Sequence, residues 1–340
     1  MRIFRERGQT VTVHVFQVDP SPRLTPYAYE RNAIAEAGGE LILANCANEA
    51  EVIQQARDAE IILVSWSRYV TPDVMAALPK LRLIARWGVG YDMIDADAAA
   101  ALGIAVVNTP TYCGEEVAEH AIALLFAYGR RLTWSHERIR AGLYQAPPFV
   151  IRRLSGRTLG IIGCGRIGSK VARRAIALGI NVIAYDPNRS DDDLRAIGVE
   201  PRSFDQVLAE ADYLTLHVPL DASTWHMIDA VALAKIRPET MLINTSRGAV
   251  INQTALVDAL SSGRLAAAGL DVYEQEPMAP DNPLRSLEHV TLTPHAAAWS
   301  EDSIELLRVE MCENVAEWIA TGWNHKVVNP EVRSHLRPRL

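Results

Sequence analysis

The chain has 340 residues, more than a single hydrophobic core usually organises, so two domains are expected. It is 49% hydrophobic and carries a net charge of −7 with acids and bases interspersed. That balance excludes a nucleic-acid-binding surface, because Arg152-Arg153 and Arg173-Arg174 are too short to follow a phosphate backbone. No stretch is long enough for a membrane span, and Val11–Val18 reads as a first strand rather than a secretory leader. Cys46, Cys113, Cys164 and Cys312 lie far apart, without a C-x-x-C pair or neighbouring histidines at ligand spacing. Reduced thiols in a cytoplasmic protein without a metal are the expectation.

From the N-terminus, strands are predicted at Val11–Val18, Glu40–Leu43, Glu60–Val64, Leu81–Arg86 and Ile104–Val107. Helices are predicted between them at Tyr27–Ala37, Asn48–Arg57 (Asn48 as N-cap), Pro72–Leu78 and Asp95–Leu102. Strict alternation of this kind implies a parallel sheet covered on both faces. A long helix pattern, Glu115–Arg131, puts Val117, Ala121, Leu124, Leu125 and Tyr128 on one side, and the proline-bearing stretch Ala146–Pro148 follows.

The next segment carries most of the chemistry. A buried strand, Leu159–Ile162, runs into Gly163-Cys-Gly165-Arg166-Ile167-Gly168, then a helix at Ser169–Leu178, a strand at Asn181–Tyr185, and Asp186. Strand, glycine turn, helix, strand and acid are the dinucleotide-binding fingerprint in order as well as in spelling. Gly163 permits the tight turn, Gly165 lets the backbone approach a pyrophosphate, and Gly168 allows close helix–strand packing. The N–H groups around Arg166 and Ile167 would face the phosphates at the positive end of the helix dipole. Asp186 stands close to the expected ribose-binding position, about 20 residues on, and its charge would repel a 2′-phosphate, favouring NAD.

Further strands are expected at Tyr213–His217, Met241–Asn244, Ala267–Asp271 and Val290–Leu292, separated by helices at Ser203–Glu210, Asp229–Ile236 and Gln253–Ser262. A helix at Glu301–Ala320 and an irregular tail end the chain. Ligands bind at the carboxyl ends of strands in open α/β sheets, so the residues there act as a filter. His217-Val218-Pro219, Thr245-Ser246-Arg247, Asp271 with Glu276, and Thr293-Pro-His295 all fall at that edge. Reduction of a ketone needs a proton donor, for which histidine is suited, with a carboxylate beside it to stabilise the charged ring. Arginine supplies a planar fork for a substrate carboxylate. Singly, each residue is more often structural; together, downstream of a dinucleotide loop, they point to hydride transfer.

On these residues the chain resembles the D-isomer-specific 2-hydroxyacid dehydrogenase family over nearly its whole length. The shared segments are the glycine loop, Asn244-Thr-Ser-Arg247-Gly, Gly269-Leu-Asp271-Val-Tyr-Glu-Gln-Glu276-Pro and Thr293-Pro-His295. Upstream, Trp87-Gly-Val89-Gly90-Tyr-Asp92-Met-Ile-Asp95 and Asn108-Thr-Pro110 also match. The resemblance implies His295 as acid/base, Glu276 as its partner and Arg247 as substrate anchor. It implies backbone amides of Val89 and Gly90 for the substrate carboxylate, Asp271 at the nicotinamide end, and Thr245 and Ser246 in the same pocket. The cofactor-binding set extends to His217, Val218, Pro219, Thr224 and Ala298, and the substrate set to Trp66.

The implied fold class is α/β, with two doubly wound parallel-sheet domains and a Rossmann cofactor domain inserted into a flavodoxin-like substrate domain. Residues 1–112 and 297–340 form the substrate domain and 113–296 the NAD-binding domain, with an interdomain active-site cleft and a cofactor-domain homodimer. Met93 replaces a frequent asparagine, and Trp66, Arg68, Tyr91 and Trp299 are expected to shape the pocket. Ser65 stands where phosphoglycerate dehydrogenases tend to place an arginine, and no extra C-terminal regulatory domain is expected. A glyoxylate- or hydroxypyruvate-type 2-oxo acid is therefore the expected partner. D-3-phosphoglycerate oxidation is the runner-up, and an NAD(H)-sensing corepressor-like protein is the alternative of another class.

Overall fold

The computed structural model describes residues 12–144 and 151–339. Val11 and Ala146–Pro148 of the sequence reading lie outside the described residues. The chain divides into two compact units, Met1–Cys113 with Ser300–Leu340, and Gly114–Trp299. The boundaries fall at 113/114 and 299/300 rather than at 112/113 and 296/297. Ala296 and Ala297 still donate their amides to the Asp271 carboxylate, which keeps that turn with the second unit.

The first unit begins with β1 (Val13–Gln17), α1 (Ala28–Glu36), β2 (Gly39–Leu43), α2 (Glu49–Gln55) and β3 (Ile61–Val64). It continues through α3 (Pro72–Ala77), β4 (Leu83–Arg86), α4 (Ala96–Ala101) and β5 (Ala105–Val107). The strands pair in parallel in the order β2-β1-β3-β4-β5, the flavodoxin-like arrangement. Side chains alternate between two cores, Val15, Ile61, Leu63 and Leu83 on one face and Phe16, Ile62, Val64 and Ile84 on the other. Short polar caps start the helices: Asn48, Thr71 and Asp95 each accept a backbone N–H from the first turn.

The second unit opens with α5 (Gly114–Gly129), close to the predicted Glu115–Arg131, and Arg131 (φ 54°) then caps α6 (Leu132–Arg140), for which the sequence reading had no counterpart. Next come β6 (Thr158–Ile162), α7 (Arg166–Ala177) and β7 (Asn181–Tyr185). Helix α7 begins at Arg166, three residues before the predicted start, with Gly165 as N-cap. The sequence reading had no counterpart for α8 (Asp191–Ala196), capped by Ser190, or for the two-residue β8 (Glu200–Pro201). The unit continues with α9 (Phe204–Glu210), β9 (Tyr213–Leu216), α10 (Ala230–Lys235), β10 (Met241–Asn244), α11 (Gln253–Ser261), β11 (Ala267–Leu270) and β12 (Val290–Leu292). All seven strands are parallel, in the order β12-β11-β10-β9-β6-β7-β8. The order reverses direction at β6, so the glycine turn after β6 and the His217 loop after β9 flank the topological switch point.

The chain returns to the first unit as α12 (Glu301–Thr321), started by a Ser300/Ser303 capping box and ended at Gly322 in the left-handed region. Met311, Val315 and Trp318 of α12 join the core of Val15, Leu63 and Leu83. Among the described residues no helix is long and apolar enough to cross a membrane.

Candidate active site

The glycine turn has the geometry the fingerprint requires. Gly163 has φ 88°, and a Cβ at Gly168 would lie 2.1 Å from the Gly163 carbonyl oxygen, so α7 packs against the turn only with glycine there. A Cβ at Gly165 would meet no protein atom within 4 Å, leaving open space beside the backbone at the N-terminus of α7. Asp186 turns toward this loop, its carboxylate accepting Cys164 N at 2.8 Å and Asn188 N at 2.9 Å. Arg189 lies against the same loop, donating to Cys164 O and Ser169 Oγ, both at 3.1 Å. Cys164 is buried and burial raises its thiol pKa, which suits a small filler.

Two polar atoms near the same sheet edge are buried without a hydrogen-bond partner among the described residues, His217 Nδ1 and Thr245 Oγ1. His217 Nε2 meets Thr215 Oγ1 at 3.0 Å, and burial pulls the imidazole down to about 4, so it is neutral at pH 7. Thr224 differs: its hydroxyl is used within the loop, donating to Pro219 O and accepting from Asp221 N. Open space at Gly165, orphaned polar atoms at His217 and Thr245, and an acid at the end of β7 fit a dinucleotide.

The catalytic candidates meet on the loops after β10, β11 and β12. His295 Nδ1 lies 2.7 Å from Glu276 Oε2, and Glu276 Oε1 accepts Tyr273 N at 2.9 Å. Burial pushes the Glu276 carboxyl up, but the His295 hydrogen bond and charge, the Tyr273 N–H and the Arg247 charge outweigh it, holding the group below its ordinary value. Arg247 follows β10, with its carbonyl bound by Asn244 Nδ2 and its own guanidinium donating to Ser246 O, both at 2.8 Å. Ser246 donates its hydroxyl to Asn244 Oδ1 at 2.8 Å.

Asp271 organises the histidine turn. Its carboxylate accepts Thr293 Oγ1, Ala296 N and Ala297 N, and its carbonyl accepts His295 N. His295 is held at φ 51°, a left-handed conformation uncommon outside glycine. Tyr273 adds a strut, its hydroxyl donating to Thr293 O at 2.8 Å with Leu270 O also within 3.1 Å. The sequence reading did not single out Tyr273, Thr293 as a side chain, or His120, whose Nε2 lies 2.9 Å from Thr293 Oγ1.

In the first unit, neither Val89 N–H nor Gly90 N–H has a hydrogen-bond partner among the described residues. Their loop is fixed from behind, Asn108 Nδ2 donating to Val89 O and Gly88 N to Thr109 Oγ1. Trp66 is half-exposed on the loop after β3, with the Arg86 guanidinium 5.3 Å from its ring centroid. Sequence reasoning missed Asp19, the anchor of that loop: its carboxylate accepts the amides of Ser65, Trp66 and Ser67. An acid directly after β1, at the carboxyl edge of the sheet, was the available signal.

A profile of the D-isomer specific 2-hydroxyacid dehydrogenase NAD binding domain matches residues 122–297. A glyoxylate reductase of Korarchaeum cryptofilum is 42% identical over 270 residues, covering 78% of this chain and 80% of the relative. A D-3-phosphoglycerate dehydrogenase of Mycobacterium leprae is 39% identical over 296 residues, covering 85% of this chain but only 56% of the relative's length. The crystal structure of a glyoxylate reductase from Paecilomyes thermophila superposes with a TM-score of 0.84 at 31% identity, covering 94% of this chain and 98% of that one.

Proposed function

Because the chain belongs to the D-isomer specific 2-hydroxyacid dehydrogenase family, we propose that it reduces a small 2-oxo acid of the glyoxylate or hydroxypyruvate type to the D-2-hydroxy acid, reversibly, with NAD(H). The observation that carries this reading is the His295–Glu276 pair on the same sheet edge as the glycine turn. When bound, the nicotinamide supplies or accepts the hydride. His295 supplies the proton: Glu276 engages Nδ1 and orients the ring, and Nε2 protonates the nascent alkoxide. Glu276 stabilises the charged imidazole and fixes its orientation. Arg247 anchors the substrate through its planar fork, and its charge polarises the oxo group. Val89 and Gly90 offer amides to a carboxylate, and Trp66 contributes to substrate choice.

Oxidation of D-3-phosphoglycerate is the second reading, supported by the Mycobacterium leprae relative. A panel of 2-oxo acids followed by NADH consumption, with phosphohydroxypyruvate included, separates the two. Fastest turnover of glyoxylate or hydroxypyruvate is expected. A preference for phosphohydroxypyruvate selects the second reading, and no turnover of any member overturns both.

Two further features belong to the proposal. A homodimer through the second unit is supported by α6, where Leu132, Ile139 and the following Leu143 and Tyr144 are exposed, Tyr144 at 95%. Light scattering that returns the mass of one chain would remove it. A cytoplasmic location is supported by four buried cysteines that form no disulfide among the described residues, and secretion of the native protein would contradict it.

A further inference from the structure

We propose that His120, on helix α5, is a positioning residue that holds the turn presenting the His295 imidazole, acting through Thr293 and Asp271. The proposal rests on the acid/base role given to His295 above.

The geometry fixes the direction of each bond. Thr293 Oγ1 lies 2.5 Å from Asp271 Oδ1, and an ionised carboxylate only accepts, so the threonine spends its single proton there. Its oxygen therefore accepts from His120 Nε2, 2.9 Å away, which places a hydrogen on that nitrogen whatever the charge of the ring. The same nitrogen lies 3.7 Å from Asp271 Oδ1. Asp271 is fully buried and connects the cluster to the turn: Ala296 N and Ala297 N end on its carboxylate and His295 N on its carbonyl. His120, Thr293 and Asp271 thus form one chain of contacts from α5 to the backbone of the acid/base residue.

Two features say that the chain of contacts positions rather than fills. His295 sits at φ 51°, a left-handed conformation uncommon outside glycine that persists only where the surroundings impose it. His120 also interrupts the apolar stripe of α5, between Val117 and Ala121 on the buried side, where an aliphatic residue would pack with less desolvation cost. The polar residue there donates to the threonine oxygen beside a buried carboxylate, and that oxygen loses its donor if the histidine is replaced by a hydrocarbon.

Steady-state kinetics and histidine NMR of the cofactor-free protein test this with His120→Leu, His120→Gln and Thr293→Val. Gln keeps an N–H donor near the Nε2 position, whereas Leu removes it, and Val removes the threonine oxygen without altering α5. His120→Leu and Thr293→Val should lower kcat about ten- to hundredfold, as displacement of a reacting group by about 1 Å does, with KM for NADH within about twofold of wild type. His120→Gln should recover most of that loss. In protein labelled at the histidine rings, the His295 resonance, assigned by its disappearance in His295→Asn, should be single in wild type and His120→Gln. It should broaden or split in His120→Leu. Unchanged kcat and an unchanged resonance in both His120→Leu and Thr293→Val overturn the proposal, as does an equal loss of kcat in His120→Leu and His120→Gln. A fully active His295→Asn instead removes the acid/base assignment on which the proposal stands.

Discussion

Glu276 is clamped by both of its oxygens, one 2.7 Å from His295 Nδ1 and the other 2.9 Å from Tyr273 N. The carboxylate cannot rotate away without losing one contact, so the orientation of the imidazole is held with it. Replacing His295 by Ala should lower kcat by about 10²–10⁴-fold, the usual worth of a positioned acid/base. NADH binding, read by fluorescence titration, should be retained. Wild-type turnover in this variant would remove the proposed mechanism.

The depressed Glu276 carboxyl makes stability depend on pH in the acid range. Its folded-state value lies below the ordinary 4.5, so its contribution is fully present above that value and is lost as pH falls through the folded value. Denaturant titrations should show a stability gap between wild type and Glu276→Gln that is constant near neutrality and closes in acid. A gap that widens with acid would reverse the assigned direction.

His217 acts over a higher window. Its folded value is about 4 against 6.5 for the free side chain, so the unfolded chain takes up the proton first. Stability should fall as pH drops from 6.5 towards 4, by an amount approaching 3 kcal/mol, on the order of 1.4 kcal/mol per unit. In His217→Asn this component should vanish, leaving a flatter profile. Identical slopes in the two proteins would show that the buried ring does not govern this range.

Arg247→Lys keeps the charge and loses the fork. An ammonium makes point contacts where the guanidinium can bind a carboxylate in two places, so kcat/KM should fall about 10- to 100-fold. A value equal to wild type would count against the anchoring role.

Asp186→Ser should shift cofactor choice. The carboxylate disfavours a 2′-phosphate, and Arg189 is held three residues on against Cys164 O and Ser169 Oγ. Removing the acid should reduce the NADH:NADPH ratio of kcat/KM by about tenfold or more, equivalent to roughly 1.4 kcal/mol. A native protein that already prefers NADPH would show that Asp186 does not set this choice.

Much of this architecture was legible because its signals are local. The cap at Asn48, the β6–α7 turn and the alternation of strands and helices are written in neighbouring residues. Arg247, Glu276 and His295 were singled out because strand ends share one edge, and Glu276 lies against His295 in the structure. What stayed hidden depends on distant contacts. Asp19 meets residues 65–67, His120 meets Thr293, and Tyr273 reaches across to Thr293 O. Helix α6 was missed: the reading ended its long helix at Arg131, and the polar, weakly patterned stretch after it gave no sign that a residue in the left-handed region starts another helix.

The two units also differ in when their chains are complete. The second is continuous and has all its residues once position 299 has been added, whereas the first needs Met311, Val315 and Trp318 of α12 to close its core. On the ribosome, the strands of the first unit must therefore wait for α12, which follows the whole of the second unit. One face of the first unit's sheet then has the cover of Tyr27, Ile34 and Ala100 but lacks that of α12, while every residue of the inserted unit is already present. The interval between those events is when the first unit is most open to misassembly, and a stop or frameshift between residues 300 and 311 would leave it in that state permanently.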